Sequence, residues 1–322
     1  MANIKLENLE INGYMIYQDK DSFNFGIDAV LLANFALREY GKVAGSHSSL
    51  IREGSQCVAP TDTRSSVIKI CDFCTGALPI PLIMYAKRKM ILGETMLSTH
   101  ITRAYGMGEL CEPAAVGADI IRPIVGAKQC EPALSIDAFE IDDDQVSLCN
   151  KSIIWNKENV EDAKNICDDI KVFNEDIKNI FLDREKYKSI YESFDMITCN
   201  PPYNKKGSGI INIEDKKILA RHEMSITFED ICKAARLLLK SNKKFYLIHH
   251  SERLPELIMT LKSYSFEVKK VQFVHPKVSK PSALVLIEAV KNAKSSLSVL
   301  EPIIIFNEDG SYTEKIQKIY GK

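Results

Sequence analysis

Near the middle of the chain, Phe194 to Tyr203 read Phe-Asp-Met-Ile-Thr-Cys-Asn-Pro-Pro-Tyr. An amide, two rigid carbonyl carriers and a phenol in a row are the parts needed to hold a planar amine. The Asn200 Oδ1 and the Pro201 carbonyl can each accept one amino hydrogen, and Tyr203 offers a face for stacking. The residues before them alternate apolar and small, as a short buried strand does. Pro201 and Pro202 stop that strand, because neither can donate to a sheet ladder and each biases its predecessor away from helix. Asn200 is therefore expected in an extended conformation just beyond a strand end, where an open parallel sheet binds its ligands. Asn-Pro-Pro-Tyr also serves as ordinary turn punctuation, so the surrounding elements must decide.

Residues 67–72 form the first convincing buried strand, which ends in Asp72. It runs into Phe73-Cys-Thr-Gly76 and then a helix through about Lys89. Strand, glycine turn and helix are the frame of a nucleotide-binding βαβ unit. A second strand, 135–140, ends in Glu140, followed by a helix through about Trp155, the single tryptophan, expected in the core. A third, 171–174, leads to Glu175 and Asp176. After the central motif come a helix at 227–240, a strand at 244–249, a helix at 252–263 and closing strands at 268–274 and 283–290. This alternation argues for an α/β fold with a doubly wound, mostly parallel sheet. His249 and His250 end one strand, and side-chain alternation turns one of them away from any site.

The N-terminus reads as an extension. Leu6 to Phe25 alternate around Asn12-Gly13, the signal of a hairpin. Gly26 breaks the strand, and Asp28 favours the start of the helix beyond it. Gln18, Phe25 and Asp28 could form a lid. The chain thus divides into an extension at 1–42, a Ser/Thr/Gly-rich loop at 43–66 and a main domain at 67–322 with an insertion at 90–134. The insertion's echo, Cys111-Glu-Pro-Ala and Cys130-Glu-Pro-Ala, falls short of a structural repeat.

The 322 residues, 45% hydrophobic and 26% charged, have the composition of an ordinary soluble globular protein. Charges sit where a signal peptide would need an apolar core, and no apolar run has the length of a membrane span. A cytoplasmic protein is expected. Of nine cysteines, only Cys71 and Cys74 form a C-x-x-C, with no second pair to complete a zinc site. They read as small residues on a buried strand and its turn, a redox pair being the alternative. His47 lacks a companion ligand, and no metal is expected. The net charge of −1 hides an asymmetry: residues 1–200 hold 21 Lys+Arg against 30 Asp+Glu, and residues 201–322 hold 21 against 13. A basic half beginning at the motif suits a polyanionic partner. Lys205, Lys206, Arg221 and His222 are the candidate phosphate contacts, solvated surface cations being the alternative.

Taken in order, Gln18-Asp-Lys, Phe25-Gly-Ile-Asp-Ala-Val-Leu-Leu, Asp72 with Thr75-Gly76, Glu140, Asp176 and Asn200-Pro-Pro-Tyr203 resemble a known family. It is the tRNA(Val) adenine-37 N6-methyltransferase family of bacterial class I S-adenosylmethionine (SAM)-dependent enzymes. The resemblance continues through Ala220-Arg-His-Glu, Ser251-Glu-Arg-Leu, Val274-His-Pro and Asp309-Gly-Ser-Tyr-Thr, and omits only 43–66 and 90–134. It implies a seven-stranded Rossmann-like methyltransferase sheet, SAM as cofactor and the anticodon stem-loop of tRNA(Val) as partner. It also implies roles. Asp72, Thr75 and Gly76 would accept the methionine part of the cofactor, with Phe25 and Asp28 beside it. Glu140 would bind the ribose hydroxyls and Asp176 the adenine amino group. Asn200, at the meeting of cofactor and target, would hold a flipped adenine together with Pro201, Pro202 and Tyr203. The family's turn is Asp-x-Gly-x-Gly-x-Gly, and here Cys74 and Leu78 stand at the first and third glycines. Two other readings stay open. One is a protein-glutamine N5-methyltransferase, since the motif can hold either planar amine. The other is a non-catalytic RNA-binding relative with an altered cofactor turn.

Overall fold

The structure, a computed structural model, describes residues 3–20, 26–38, 67–74, 76, 79–84, 86–87, 134–163, 169–201 and 226–322. The expected loop at 43–66 and all but the last residue of the insertion at 90–134 lie outside these. The first unit is the expected hairpin, β1 (Ile4–Asn8) antiparallel to β2 (Met15–Asp19). Tyr14 N donates to Ile11 O at 3.0 Å, and Asn12 and Gly13 between them have φ of +50° and +75°. A tight hairpin whose twist matches its strands needs that pair of positive angles, and Asn-Gly supplies it at low cost.

Helix α1 (Ile27–Leu37) follows, then β3 (Ile68–Phe73), β4 (Leu134–Glu140), α2 (Asp143–Asn159) and β5 (Ile170–Asn174). Two one-turn helices, α3 (Asn179–Leu182) and α4 (Arg184–Tyr187), precede β6 (Phe194–Cys199). Beyond the motif lie α5 (Phe228–Leu238), β7 (Leu239–His250), α6 (Leu254–Ser263), β8 (Phe266–His275) and β9 (Leu284–Lys291). Short strands β10 (Ser298–Val299) and β11 (Ile303–Ile304) and a last helix α7 (Glu314–Ile319) close the chain.

Among the described residues, β3 to β11 make one nine-stranded sheet in the order β10-β8-β9-β7-β6-β3-β4-β5, with β11 also on β8. Strands β3 to β7 are parallel, and β9 runs antiparallel between β7 and β8. The seven strands β3 to β9 match the expected sheet. The sequence did not reveal β10, β11 or α7, whose apolar stretches are too short to show a period. The expected helix ran two residues too far, to Lys240, and the expected strand began at Lys244, whereas β7 starts at Leu239 because its first residues, Lys240 to Lys243, carry no apolar alternation.

Alternation of side chains gives the sheet two faces. Ile70, Ile136, Tyr246 and Leu286 point into a core shared with α1, α2, α7 and the hairpin. Phe73, Ile197, Phe245 and Ile287 point into a second core with α5 and α6. Burying each such side chain contributes about 1.5–3 kcal/mol. A capping box starts α5: Asp230 N donates to Thr227 Oγ1 and Thr227 N donates to Asp230 Oδ2, both at 3.2 Å.

Two helices do unexpected work. Trp155 of α2 is only half-buried, so it does not join the core as expected. That face instead buries Ser152 and Asn156, which take up the exposed edge of β2. Tyr17 N donates to Ser152 Oγ at 2.9 Å, Met15 N donates to Asn156 Oδ1 at 3.0 Å, and Asn156 Nδ2 donates to Met15 O at 2.6 Å. A strand edge that would otherwise pair with another chain is thereby covered. Helix α1, buried at eight of eleven positions, is apolar nearly all round and lies across the sheet, touching β6, β7 and β9.

Candidate active site

Asp72, Glu140, Asp176 and Asn200 come from the carboxyl ends of β3, β4, β5 and β6. In the sheet these are four consecutive strands, β6-β3-β4-β5. The register sets Asp72 opposite Thr198 and Glu140 opposite Asn174. Residues far apart in sequence thus share one edge, the edge where parallel α/β sheets place their ligands.

Asp72 is fully buried, and Thr198 Oγ1 donates to its Oδ1 at 2.5 Å. The turn that follows has Cys74 at φ +58° and Gly76 at φ +53°. Cys74 therefore adopts the left-handed conformation that a glycine enters freely, at a cost of about 1 kcal/mol. Gly76 is held from both sides: its N–H donates to Glu140 Oε2 at 2.8 Å, and the Cys149 thiol donates to its carbonyl at 2.8 Å. The other Glu140 oxygen accepts from Ile141 N and Asp142 N at 2.9 and 3.0 Å. Three amides on one carboxylate fix the turn to the end of β4.

Asp176 Oδ1 accepts from Lys178 N at 2.9 Å, and Lys178 Nζ lies 3.3 Å from Oδ2. Its neighbour Glu175, against the opposing effect of burial, is drawn down to about 2 chiefly by the hydrogen bond from Lys186 at 2.7 Å, with a further one from Asn179 at 2.6 Å.

Beyond β6 the half-buried Asn200 donates through Nδ2 to Asp28 Oδ2 at 3.1 Å. A carboxylate only accepts here, so the amide nitrogen must face Asp28 and Oδ1 must turn the other way. Asp28 Oδ1 accepts from Ala29 N at 2.9 Å. Pro201 is buried, as a rigid stop behind Asn200.

Of the expected site residues, Asp28, Asp72, Gly76, Glu140, Asp176, Asn200 and Pro201 are therefore on or beside one edge. Phe25, Thr75, Pro202, Tyr203, Lys205, Lys206, Arg221 and His222 lie outside the described residues. Thr198 and Cys149 were missed. A threonine inside a strand and a cysteine inside a helix give no local signal of what they touch. Cys71 and Cys74 are both free thiols, with no bond between them. Burial raises the Cys71 thiol within β3, whereas Cys74 contacts Cys199, whose thiol is raised by burial first and by Cys74 next. Among the described residues no group of three or more side chains could hold a metal ion. No described helix is long and apolar enough to cross a membrane.

No protein-family model matches the chain, and no curated protein matches it. Solved structures do. A predicted O-methyltransferase, protein Atu636 from Agrobacterium tumefaciens, matches with a TM-score of 0.54 at 16% identity, over 91% of this chain and 95% of that one. TYW2 from P. horikoshii in complex with MeSAdo is similar at a TM-score of 0.43 and 11% identity, over 91% and 73% of the two chains. TrmN from Thermus thermophilus follows at 0.40 and 12%, over 81% and 48%. Only the first is close enough to bear on the fold. The chain has the Rossmann-like α/β fold of that methyltransferase, with a mostly parallel central sheet flanked by helices.

Proposed function

We propose that this chain is a SAM-dependent methyltransferase whose acceptor is the exocyclic amine of an adenine in tRNA. By the resemblance of its motifs, that base is adenine 37 of tRNA(Val). One observation carries the reading: the Asn200 amide, just past β6 on the ligand edge of the sheet, is turned by Asp28 so that Oδ1 faces away from the carboxylate.

The residues present fit the cofactor. SAM offers donors in its ammonium, ribose hydroxyls and adenine amine, and the edge offers carboxylates in Asp72, Glu140 and Asp176. At the first two of the three glycine positions, Cys74 and Gly76 have left-handed angles of +58° and +53°, the backbone conformation that glycine enters freely. Bound there, the cofactor supplies an electrophilic methyl group. The protein's own part is positioning and electrostatics. Adenine N6 is a poor nucleophile because its lone pair is delocalised into the ring. With Asn200 Oδ1 and the Pro201 carbonyl each accepting one hydrogen, the nitrogen would be held pyramidal, with its lone pair localised and free to act as the nucleophile. No strong general base is required, since the amine proton turns acidic once nitrogen carries charge. The base must leave its stack, at a cost of a few kcal/mol, and Tyr203 is placed in sequence to restore a stacking face.

The test has two stages. Calorimetric titration with SAM and S-adenosylhomocysteine should show binding that disappears in Glu140→Ala. Incubation of bulk tRNA with labelled SAM and the protein, followed by nucleoside analysis, should yield N6-methyladenosine. Label in a glutamine amide of a release factor instead would give the protein-methylating reading. A folded protein that binds tRNA but neither cofactor form would be the silent RNA binder.

A further inference from the structure

We infer that Asp28, from the N-terminal extension, is a positioning residue that sets which way the Asn200 amide points, and that Gly26 is a glycine to leave room for it. The inference rests on the amine-methylating reading above and adds a device to the same site.

Asp28 uses both carboxylate oxygens in defined directions. Oδ1 accepts from Ala29 N at 2.9 Å, which locks the side chain to the first turn of α1, and Oδ2 accepts from Asn200 Nδ2 at 3.1 Å. An asparagine amide presents an acceptor and a donor of nearly the same shape, and its surroundings decide between them. A carboxylate stands at its donor end here, so the acceptor end is directed away from Asp28. An amine to be methylated needs acceptors, so the flipped amide would oppose it with a donor.

Gly26 supplies the second observation. Its backbone, at φ −122° and ψ 167°, is extended and open to any residue, so glycine is not required for conformation. Yet a Cβ there would lie 2.6 Å from Asp28 Oδ1, closer than non-bonded atoms approach. The missing side chain makes space for the Asp28 carboxylate in the rotamer that reaches Asn200.

The charge pattern dictates the test. Asp28→Asn has one acceptor for two donors. With its oxygen kept on Ala29 N, its amide nitrogen faces Asn200 and turns that amide over. Turnover on tRNA should fall on the order of 100-fold while SAM affinity stays within a few-fold. The exchange Asp28→Asn with Asn200→Asp should restore at least about tenfold over Asp28→Asn alone, since the new carboxylate accepts both from position 28 and from the amine. Gly26→Ala should lower turnover by about tenfold with little change in Tm, as its backbone is unstrained. A separate readout needs no activity. The side-chain NH2 signals of Asn200, identified by their loss in Asn200→Ala, should move upfield in Asp28→Asn as the bond to a carboxylate is lost. Unmoved signals would overturn the inference, as would an exchange variant no better than the single one in an active enzyme. If the unaltered protein methylates nothing, the functional reading fails, and the NMR shift alone decides the role of Asp28.

Discussion

Helix α1 is fastened at both ends by polar contacts of different kinds. At its start, Asp28 meets a neutral amide, Asn200, at 3.1 Å. One residue past its end, Arg38 meets Glu288 at 2.8 Å, and Glu288 also has Lys244 at 3.7 Å and Lys270 at 3.6 Å. Glu288 is almost wholly buried, and Arg38 lies over the Phe35 ring at 4.0 Å. A buried carboxylate met by three partly exposed cations is a clamp: the acid is held in a poor solvent by the charges around it, and removing it leaves those cations repelling one another. The acid–amide contact holds less energy, on the order of 1.5–3 kcal/mol, but it has a direction. One end of the helix meets a buried carboxylate among cations, and the other meets the amide of the site proposed above.

Substitutions at the two ends should separate in what they damage. Asn200→Ala removes the acceptor itself, and kcat should fall on the order of 1,000-fold, with Tm and SAM affinity nearly unchanged. Equal loss of cofactor affinity in calorimetry would place Asn200 in the cofactor site rather than at the amine. Glu288→Ala should do the reverse. Urea denaturation should show a loss of about 3–5 kcal/mol, with kcat per folded molecule preserved. Arg38→Met should cost less than Glu288→Ala, because Lys244 and Lys270 remain beside the acid; an equal cost would mean that Arg38 alone neutralises it.

A third polar contact sharpens the comparison through pH. His249, buried at the end of β7, accepts from His250 N through Nδ1 at 2.7 Å and lies against Arg253. Burial first, then Arg253 and His250, bring its pKa down to about 4. An unfolded histidine takes up its proton near 6.5. Between those values the unfolded chain binds the proton and the folded chain does not. Stability contributed by neutral His249 is therefore complete above about pH 6.5 and declines as pH falls toward 4, by about 3 kcal/mol. His249→Asn should flatten the urea-derived stability profile over that window, and an unchanged slope would assign the acid loss to other groups. The smallest effect is expected at the cofactor turn. Cys74→Gly relieves a left-handed residue and should raise stability by about 1 kcal/mol at most, read as a small rise in Tm.

The strand ends were legible because the signals are local. A buried run that stops at Asp72, Glu140 or Asn200-Pro201 announces both the strand and its exit, and the sheet order then aligns those exits. The start of a helix at Thr227 and Asn12-Gly13 as a turn were readable for the same reason. The basic C-terminal half was only partly interpretable. Its lysines include Lys240 and Lys243 on Asp195, Lys291 on Glu192 and Lys322 on Glu10, so part of that surplus answers acids of the other half.

By itself, then, the sequence determined the α/β alternation, the acids at successive strand ends and the Asn200-Pro201 exit from β6, all set by residue type and short spacing. Only the tertiary structure decided that Gly76 is tied to Glu140, 64 positions away, that Arg38 meets Glu288, 250 away, and that Asp28 meets Asn200, 172 away. The reason lies in α1. A helix apolar nearly all round carries no stripe from which its direction over a sheet can be read. Packing against both the sheet and the outer layer fixes that direction, and with it which residue stands beside the Asn200 amide.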